Sequence, residues 1–167
     1  MMTYLHYKDN GDMLDDVNFM QKGKNYKYGV GNYNAAWDTI QAEWYFKKSQ
    51  GMKKCECLNG GFEIQNIKNG DYLNFPNMKN LSANATINFR ISSENAKGCT
   101  IEIRKDSEKG LILGTCKVPS TGSWKTYQTV SSKLKNEAGT ANLYFVFKGK
   151  NDELIHLDWF KFSSIKL

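Results

Sequence analysis

Histidines, cysteines and paired carboxylates are the side chains through which this chain of 167 residues could do acid–base, nucleophilic or metal chemistry. They are few and scattered. Only two histidines occur, His6 and His156, far apart in the chain. No G-x-S-x-G, H-E-x-x-H, P-loop or G-x-G-x-x-G run is present. Glycoside hydrolysis needs two carboxylates about 5–10 Å apart across a cleft, and no pair here is marked out by its neighbours. The chain is therefore expected not to be an enzyme. The four cysteines, Cys55, Cys57, Cys99 and Cys116, are too few for a disulfide scaffold. Cys55-Glu56-Cys57 lacks zinc-knuckle spacing, and no second Cys or His pair follows it.

The formal net charge is +6, from 23 Lys and Arg against 17 Asp and Glu. Residues 1–38 hold four Lys and five Asp, so the excess lies in the remainder. The lysines are dispersed, with Lys47-Lys48 and Lys53-Lys54 the only adjacent pairs. A nucleic-acid surface needs a clustered stripe, so no nucleic-acid partner is expected. No apolar run approaches the 18 residues or so of a membrane span, and no membrane association is expected. The opening Met1-Met2-Thr3-Tyr4-Leu5-His6-Tyr7 has no apolar leader core. The chain reads as a piece of a longer secreted protein.

Few elements other than strands could position a site here. From residue 39 the pattern takes period two: Ile40, Ala42, Trp44 and Phe46 alternate with Gln41, Glu43 and Tyr45. Further strands are expected at 62–67, 71–75, 84–92, 99–105, 111–118, 124–131, 140–147 and 154–162. Asn59-Gly60-Gly61, Asn69-Gly70, Lys109-Gly110, Ser120-Thr121-Gly122 and Ala138-Gly139 separate them as turns. Ala85, Ile87, Phe89 and Ile91 oppose Asn84, Thr86, Asn88 and Arg90, one apolar face and one polar. The expectation is an all-β, two-sheet β-sandwich of about nine strands. Residues 1–38 show no sustained period and are expected to be a linker, or to lie along another surface. A hairpin around Asp106–Gly110 that paired Ile101 with Gly114 would put Cys99 opposite Cys116, either as a disulfide or as two buried thiols.

Six blocks in order carry a resemblance. They are Ile40-Gln41-Ala42-Glu43, Asn59-Gly60-Gly61, Ile67-Lys68-Asn69-Gly70-Asp71-Tyr72-Leu73, Gly98-Cys99-Thr100-Ile101-Glu102-Ile103-Arg104, Val118-Pro119-Ser120-Thr121-Gly122-Ser123-Trp124 and Leu157-Asp158-Trp159-Phe160. Over about residues 39–163 the chain resembles the family 6 carbohydrate-binding modules, which implies a jelly roll. Tyr4-Leu5-His6-Tyr7-Lys8-Asp9-Asn10-Gly11-Asp12-Met13 is similar to the last strands of family 43 glycoside hydrolases. The implied layout is 1–38 as a linker or hydrolase remnant and 39–167 as a binding module.

The resemblance implies two sugar sites. Sugars stack their C–H faces on aromatic rings and share hydroxyls with amides and carboxylates. In the loop site, Trp124 matches the family's tryptophan, whereas Asn66 stands where an aromatic is usual and His156 where an asparagine is usual. Trp124 is then either an exposed platform or a core residue. On the concave face, Tyr72 matches the family's aromatic; alternation sends Leu73 and Phe75 inward and Tyr72 and Asn74 outward, as a platform or as ordinary surface. The resemblance further implies a structural Ca²⁺ held by Gln41, Glu43 and Asp158 with carbonyls of the Asn59-Gly60-Gly61 loop. Gln41 and Glu43, two apart on one strand, would share a face about 7 Å apart, and hard oxygens suit calcium; hydrogen bonding without metal is the alternative. The expected function is a non-catalytic module that holds an attached cell-wall hydrolase, the upstream catalytic domain of the same chain, on xylan or arabinoxylan. It would act outside the cell and as a monomer. The competing expectation is an accessory sandwich that only packs against the catalytic domain.

Overall fold

The computed structural model of the protein describes residues 6–7, 13–14, 31–135, 137–150 and 152–163. Most of the segment 1–38 assigned as linker or remnant lies outside them. In chain order the elements are β1 (His6–Tyr7), β2 (Met13–Leu14), β3 (Tyr33–Asn34), β4 (Ile40–Gln41), a 3₁₀ turn at Ala42–Trp44, β5 (Lys47–Lys48), β6 (Lys53–Glu56) and β7 (Phe62–Gln65). There follow β8 (Tyr72–Leu81), β9 (Thr86–Ser92), β10 (Cys99–Lys105), β11 (Ile112–Val118), β12 (Gln128–Lys133), β13 (Gly139–Lys148) and β14 (His156–Ser163). Among the described residues, no helix is long and apolar enough to cross a membrane.

Two sheets face each other. The first runs β11-β10-β13-β8-β3, with β5 also on β8; the second runs β12-β9-β14-β7-β6, with β4 on β14. Alternation makes this a sandwich. Phe75 and Phe145 from the first sheet and Phe89 and Phe160 from the second are all fully buried. Their rings meet across the layer: Phe75 and Phe160 at 4.7 Å, Phe145 and Phe160 at 4.8 Å, and Phe89 and Phe145 at 5.1 Å between centroids. Burying each such side chain contributes about 1.5–3 kcal/mol, so this cluster dominates the adhesion of the layers. β1 and β2 pair only with each other.

The structure departs from the expected strands in four places. The segment 40–46 is not one strand: it stops at Gln41 and turns through a 3₁₀ helix at Ala42–Trp44, burying Ala42, Glu43 and Tyr45 rather than Trp44 and Phe46. The expected strand 124–131 begins only at Gln128, because Ser123–Trp124 belongs to the preceding turn, closed by the Thr126 amide donating to the Ser123 carbonyl at 3.1 Å. The strand count exceeds nine because two-residue pairings at the edges add to the expected set. Finally, the β10–β11 register is shifted by two residues: Ile101 faces Cys116, and Cys99 faces Val118. A bulge between Ile103 and Arg104 and a tight loop set that register. A Cβ on Gly110 would fall 1.8 Å from the Lys105 carbonyl oxygen, so only glycine closes the loop. Cys99 and Cys116 are diagonal neighbours and remain thiols. Burial pushes Cys99 up to about 12 and Cys116 up to about 11.

Candidate functional site

The loops at one end of the second sheet bring together three of the residues singled out in the sequence. The Ser120-Thr121-Gly122 turn is pinned to Ser93, whose carbonyl accepts from the Thr121 amide at 2.8 Å and from the Ser120 hydroxyl at 3.1 Å. This fixes Trp124, which is half-buried. The indole lies flat on the imidazole of His156, at 4.3 Å between centroids and 16° between planes. His156 opens β14 opposite Ser92 and is 8% exposed. Its Nδ1 lies 3.1 Å from Glu63 Oε1 and its Nε2 3.4 Å from Glu153 Oε1. Burial alone would lower its basicity, but the two carboxylates outweigh that and hold it up to about 9. Asn66 adopts a left-handed φ of 55°; its amide side chain donates to the Gly51 carbonyl at 2.7 Å and its backbone N–H to Glu153 Oε1. Asn66 therefore braces Glu153 and offers no ring face.

Glu63 is the hub beneath this cluster, and the strand pattern alone did not reveal it. It sits in β7 at 2% exposure. Tyr127 donates to its Oε2 at 2.6 Å and Gln65 to its Oε1 at 2.7 Å. Burial would raise its pKa, yet the contacts with His156, Tyr127 and Gln65 bring it below the usual carboxylate range. The Cys57 thiol donates to the Tyr127 hydroxyl at 3.5 Å, and the Arg90 guanidinium lies 4.2 Å from the Tyr127 ring centroid.

The outer face of the first sheet carries the second aromatic pair. Register places Val146 opposite Tyr72 and Asn74 opposite Tyr144. The Tyr72 and Tyr144 rings meet at 5.6 Å and 46°, and both residues are half-buried. Across β10, Arg104 faces Tyr144 and Glu102 faces Val146. Arg104 Nη2 and Nε donate to Glu102 Oε2 at 2.8 and 3.0 Å. Asn74 corrects the expectation of an exposed amide beside Tyr72. It is 2% exposed, and its amide donates to the Leu143 carbonyl at 3.1 Å. The short β5 pairs alongside β8 here, with Lys47 opposite Asn74.

A pocket of about 470 Å³ on the second sheet gathers the expected calcium ligands. Gln41, Glu43, Asp158 and the Asn59-Gly60-Gly61 loop all line it, together with Trp44, Phe62, Arg90 and Trp159. The route differs from a shared strand face, since Glu43 comes from the 3₁₀ turn. Glu43 Oε2 is buried and has no hydrogen-bond partner. Burial, and secondarily the negative charge of Asp158, lift Glu43 to about 8. Asp158 is also raised, chiefly by burial, although the Arg90 ion pair pulls it back. Two buried carboxylates that repel each other, one with an unsatisfied oxygen, form a hard-oxygen site that fits a Ca²⁺ ion. Among the described residues no three His, Cys, Asp or Glu side chains converge for a metal, so the Gln41 amide or backbone carbonyls would have to complete the set.

Glu63, Glu153, Tyr144 and Arg90 are the functional-site residues that sequence reasoning missed. The one available signal was a glutamate within the apolar Phe62–Ile64 stretch, since a buried acid demands partners.

With this geometry in hand, the comparisons identify the chain. The family model for the carbohydrate binding module (family 6) matches residues 41–164. Endo-1,4-beta-xylanase A from Thermoclostridium stercorarium is 34% identical over 135 residues, which cover 80% of this chain and 20% of that protein. The arabinoxylan arabinofuranohydrolase from Paenibacillus polymyxa is 37% identical over 101 residues, 60% of this chain and 16% of that protein. The matched region spans 16% to 27% of the length of the curated relatives that the chain resembles. The crystal structure of a family 6 carbohydrate-binding module from Clostridium cellulolyticum in complex with xylose superposes with a TM-score of 0.73 at 35% identity, covering 78% of this chain and 99% of that one. The chain belongs to the family 6 carbohydrate-binding modules, a non-catalytic β-sandwich family.

Proposed function

We propose that this module holds an attached hydrolase on xylan or arabinoxylan outside the cell. The observation that carries the reading is the half-buried Tyr72–Tyr144 pair on the outer face of the first sheet, beside the Arg104–Glu102 ion pair whose groups can take sugar hydroxyls. Aromatic faces bind the C–H side of a pyranose while fixed polar groups set its orientation. The xylanase and arabinofuranohydrolase relatives, and the bound xylose of the solved relative, favour a pentose polymer as the ligand. Such a module acts by tethering, which raises the local substrate concentration around a joined active site. The upstream catalytic domain would end in the segment that contains the β1–β2 hairpin, since two strands alone are at best marginally stable. Affinity electrophoresis in gels containing xylan, arabinoxylan, laminarin or barley β-glucan tests the reading. Retardation by xylan or arabinoxylan is expected, and free migration in all four gels would refute it.

We also propose a structural Ca²⁺ in the pocket, held by Glu43 and Asp158 with Gln41. It would supply positive charge between two carboxylates and tie the 3₁₀ turn to β14. One observation favours the accessory-sandwich reading: Asn74 and Asn66 commit their amides to backbone carbonyls rather than to a ligand. Preserved thermal stabilisation of a full-length parent by this domain, without any retention on insoluble xylan, would establish that alternative.

A further inference from the structure

We infer that His156 is a built-in occupant of the loop site: its imidazole fills the stacking face of Trp124 and bars a sugar ring from it. The inference deepens the proposed function and rests on it, since it assigns glycan recognition to the tyrosine face.

Two rings at 4.3 Å and 16° are in van der Waals contact over their faces, which leaves no space for a third ring between them. The imidazole is the buried partner of the two, at 8% exposure, while the indole is half-buried. His156 cannot swing aside without loss. Its backbone is fixed opposite Ser92 in β14, and its two ring nitrogens face Glu63 and Glu153. Both carboxylates are anchored in turn, Glu63 by Tyr127 and Gln65, and Glu153 by the Asn66 backbone N–H. A sugar that displaced the imidazole would strand two acids, one of them buried, and would have to compensate for both. No aromatic stands at Asn66 to form an opposing wall, and the Asn66 amide is already committed to Gly51.

Among the described residues, the tyrosine face carries no ring stacked flat upon it. Tyr72 and Tyr144 meet at a tilt of 46° rather than flat, so their rings do not cover each other. They lie on a sheet surface with Arg104 and Glu102 on the next strand, a fixed ion pair at the platform's edge. A surface that runs along strands suits an internal stretch of a β-linked polymer better than a chain end.

Two experiments on the protein decide the matter, with xylohexaose and soluble xylan as probes. In an NMR titration with xylohexaose, the Tyr72 and Tyr144 ring signals should move while the Trp124 indole N–H stays in place. Trp124→Ala should then change affinity by no more than about twofold, whereas Tyr72→Leu with Tyr144→Leu should lose at least about tenfold. In the second experiment His156→Asn opens the indole face without removing a polar group; His156→Ser serves if that variant melts early. Either should create binding that disappears on adding Trp124→Ala, even if the unmodified module binds no xylan. That last combination would refute the proposed function and the assignment to the tyrosine face, and leave the occlusion of Trp124 by His156 standing. Abolition of binding by Trp124→Ala alone, or no Trp124-dependent gain in the folded His156 variants, would overturn it.

Discussion

Two buried glutamates of the same region, Glu63 and Glu43, meet opposite fates. Tyr127 and Gln65 donate to the two oxygens of Glu63, and the His156 ring lies 3.1 Å from Oε1 as its counter-charge. Its charge is stabilised and its pKa falls below the ordinary carboxylate range, burial notwithstanding. Glu43 is also buried, but one of its oxygens has no partner and the charge of Asp158 works against its ionisation. Its pKa rises to about 8. Burial sets the demand for compensation in both cases. At Glu63 the chain supplies Tyr127 and Gln65 as donors and His156 as counter-charge, whereas Glu43 Oε2 is left without a partner, which is where the proposed Ca²⁺ would sit.

The largest effect that could break this contrast is removal of Glu63. Glu63→Ala strands a buried His156 and the Tyr127 hydroxyl, and the expected destabilisation in urea melts is about 3–5 kcal/mol. A loss below about 1 kcal/mol would show that the network does not hold the loops. Next comes calcium. Calcium at about a hundred times its dissociation constant should stabilise the module by about 2.7 kcal/mol, read as a higher melting temperature against a chelator control. Glu43→Ala should erase that response, while Glu63→Gln should keep it. Equal calcium responses in the wild type and Glu43→Ala would remove the ion from this pocket.

A smaller effect concerns Arg90, which pairs with Asp158 and stacks on Tyr127 and so touches both regions. Arg90→Leu leaves Asp158 without its cation, and the calcium-induced rise in melting temperature should grow. A diminished rise would mean that Arg90 is needed to build the site. The smallest effect is chemical. Cys99 and Cys116 are buried with raised pKa values, and Cys57 is buried beside Tyr127. Half-exposed Cys55 should therefore react with a thiol reagent well before the other three. Fast labelling of Cys57 would show that the Glu63 network opens readily.

The sequence disclosed the sandwich because alternation is local: Ala85, Ile87, Phe89 and Ile91 declare a buried face without reference to any other strand. It disclosed the Trp124 turn and the Gln41, Glu43 and Asp158 set through ordered blocks of resemblance. Properties that depend on pairing stayed hidden. Tyr144 joins Tyr72 only through the β8–β13 register. Asn74 pairs with Lys47 of a two-residue edge strand, too short to leave a period, and is buried. The bulge at Ile103 and Arg104 and the loop beyond it together moved the Cys99 register by two positions, a shift that alternation cannot detect because it preserves the face. Glu43 reached the pocket by a 3₁₀ turn hidden inside an alternating run. Register, bulges and edge contacts are long-range facts, and one-dimensional patterns do not encode them.

Binding of a xylan-type chain on the Tyr72–Tyr144 face is best measured by isothermal titration of the module with xylohexaose in calcium-containing buffer. A saturable binding heat should persist in Glu63→Gln and be lost in the combined Tyr72→Leu and Tyr144→Leu variant. No heat with either xylohexaose or soluble xylan, from a module shown to be folded, would overturn the proposed function.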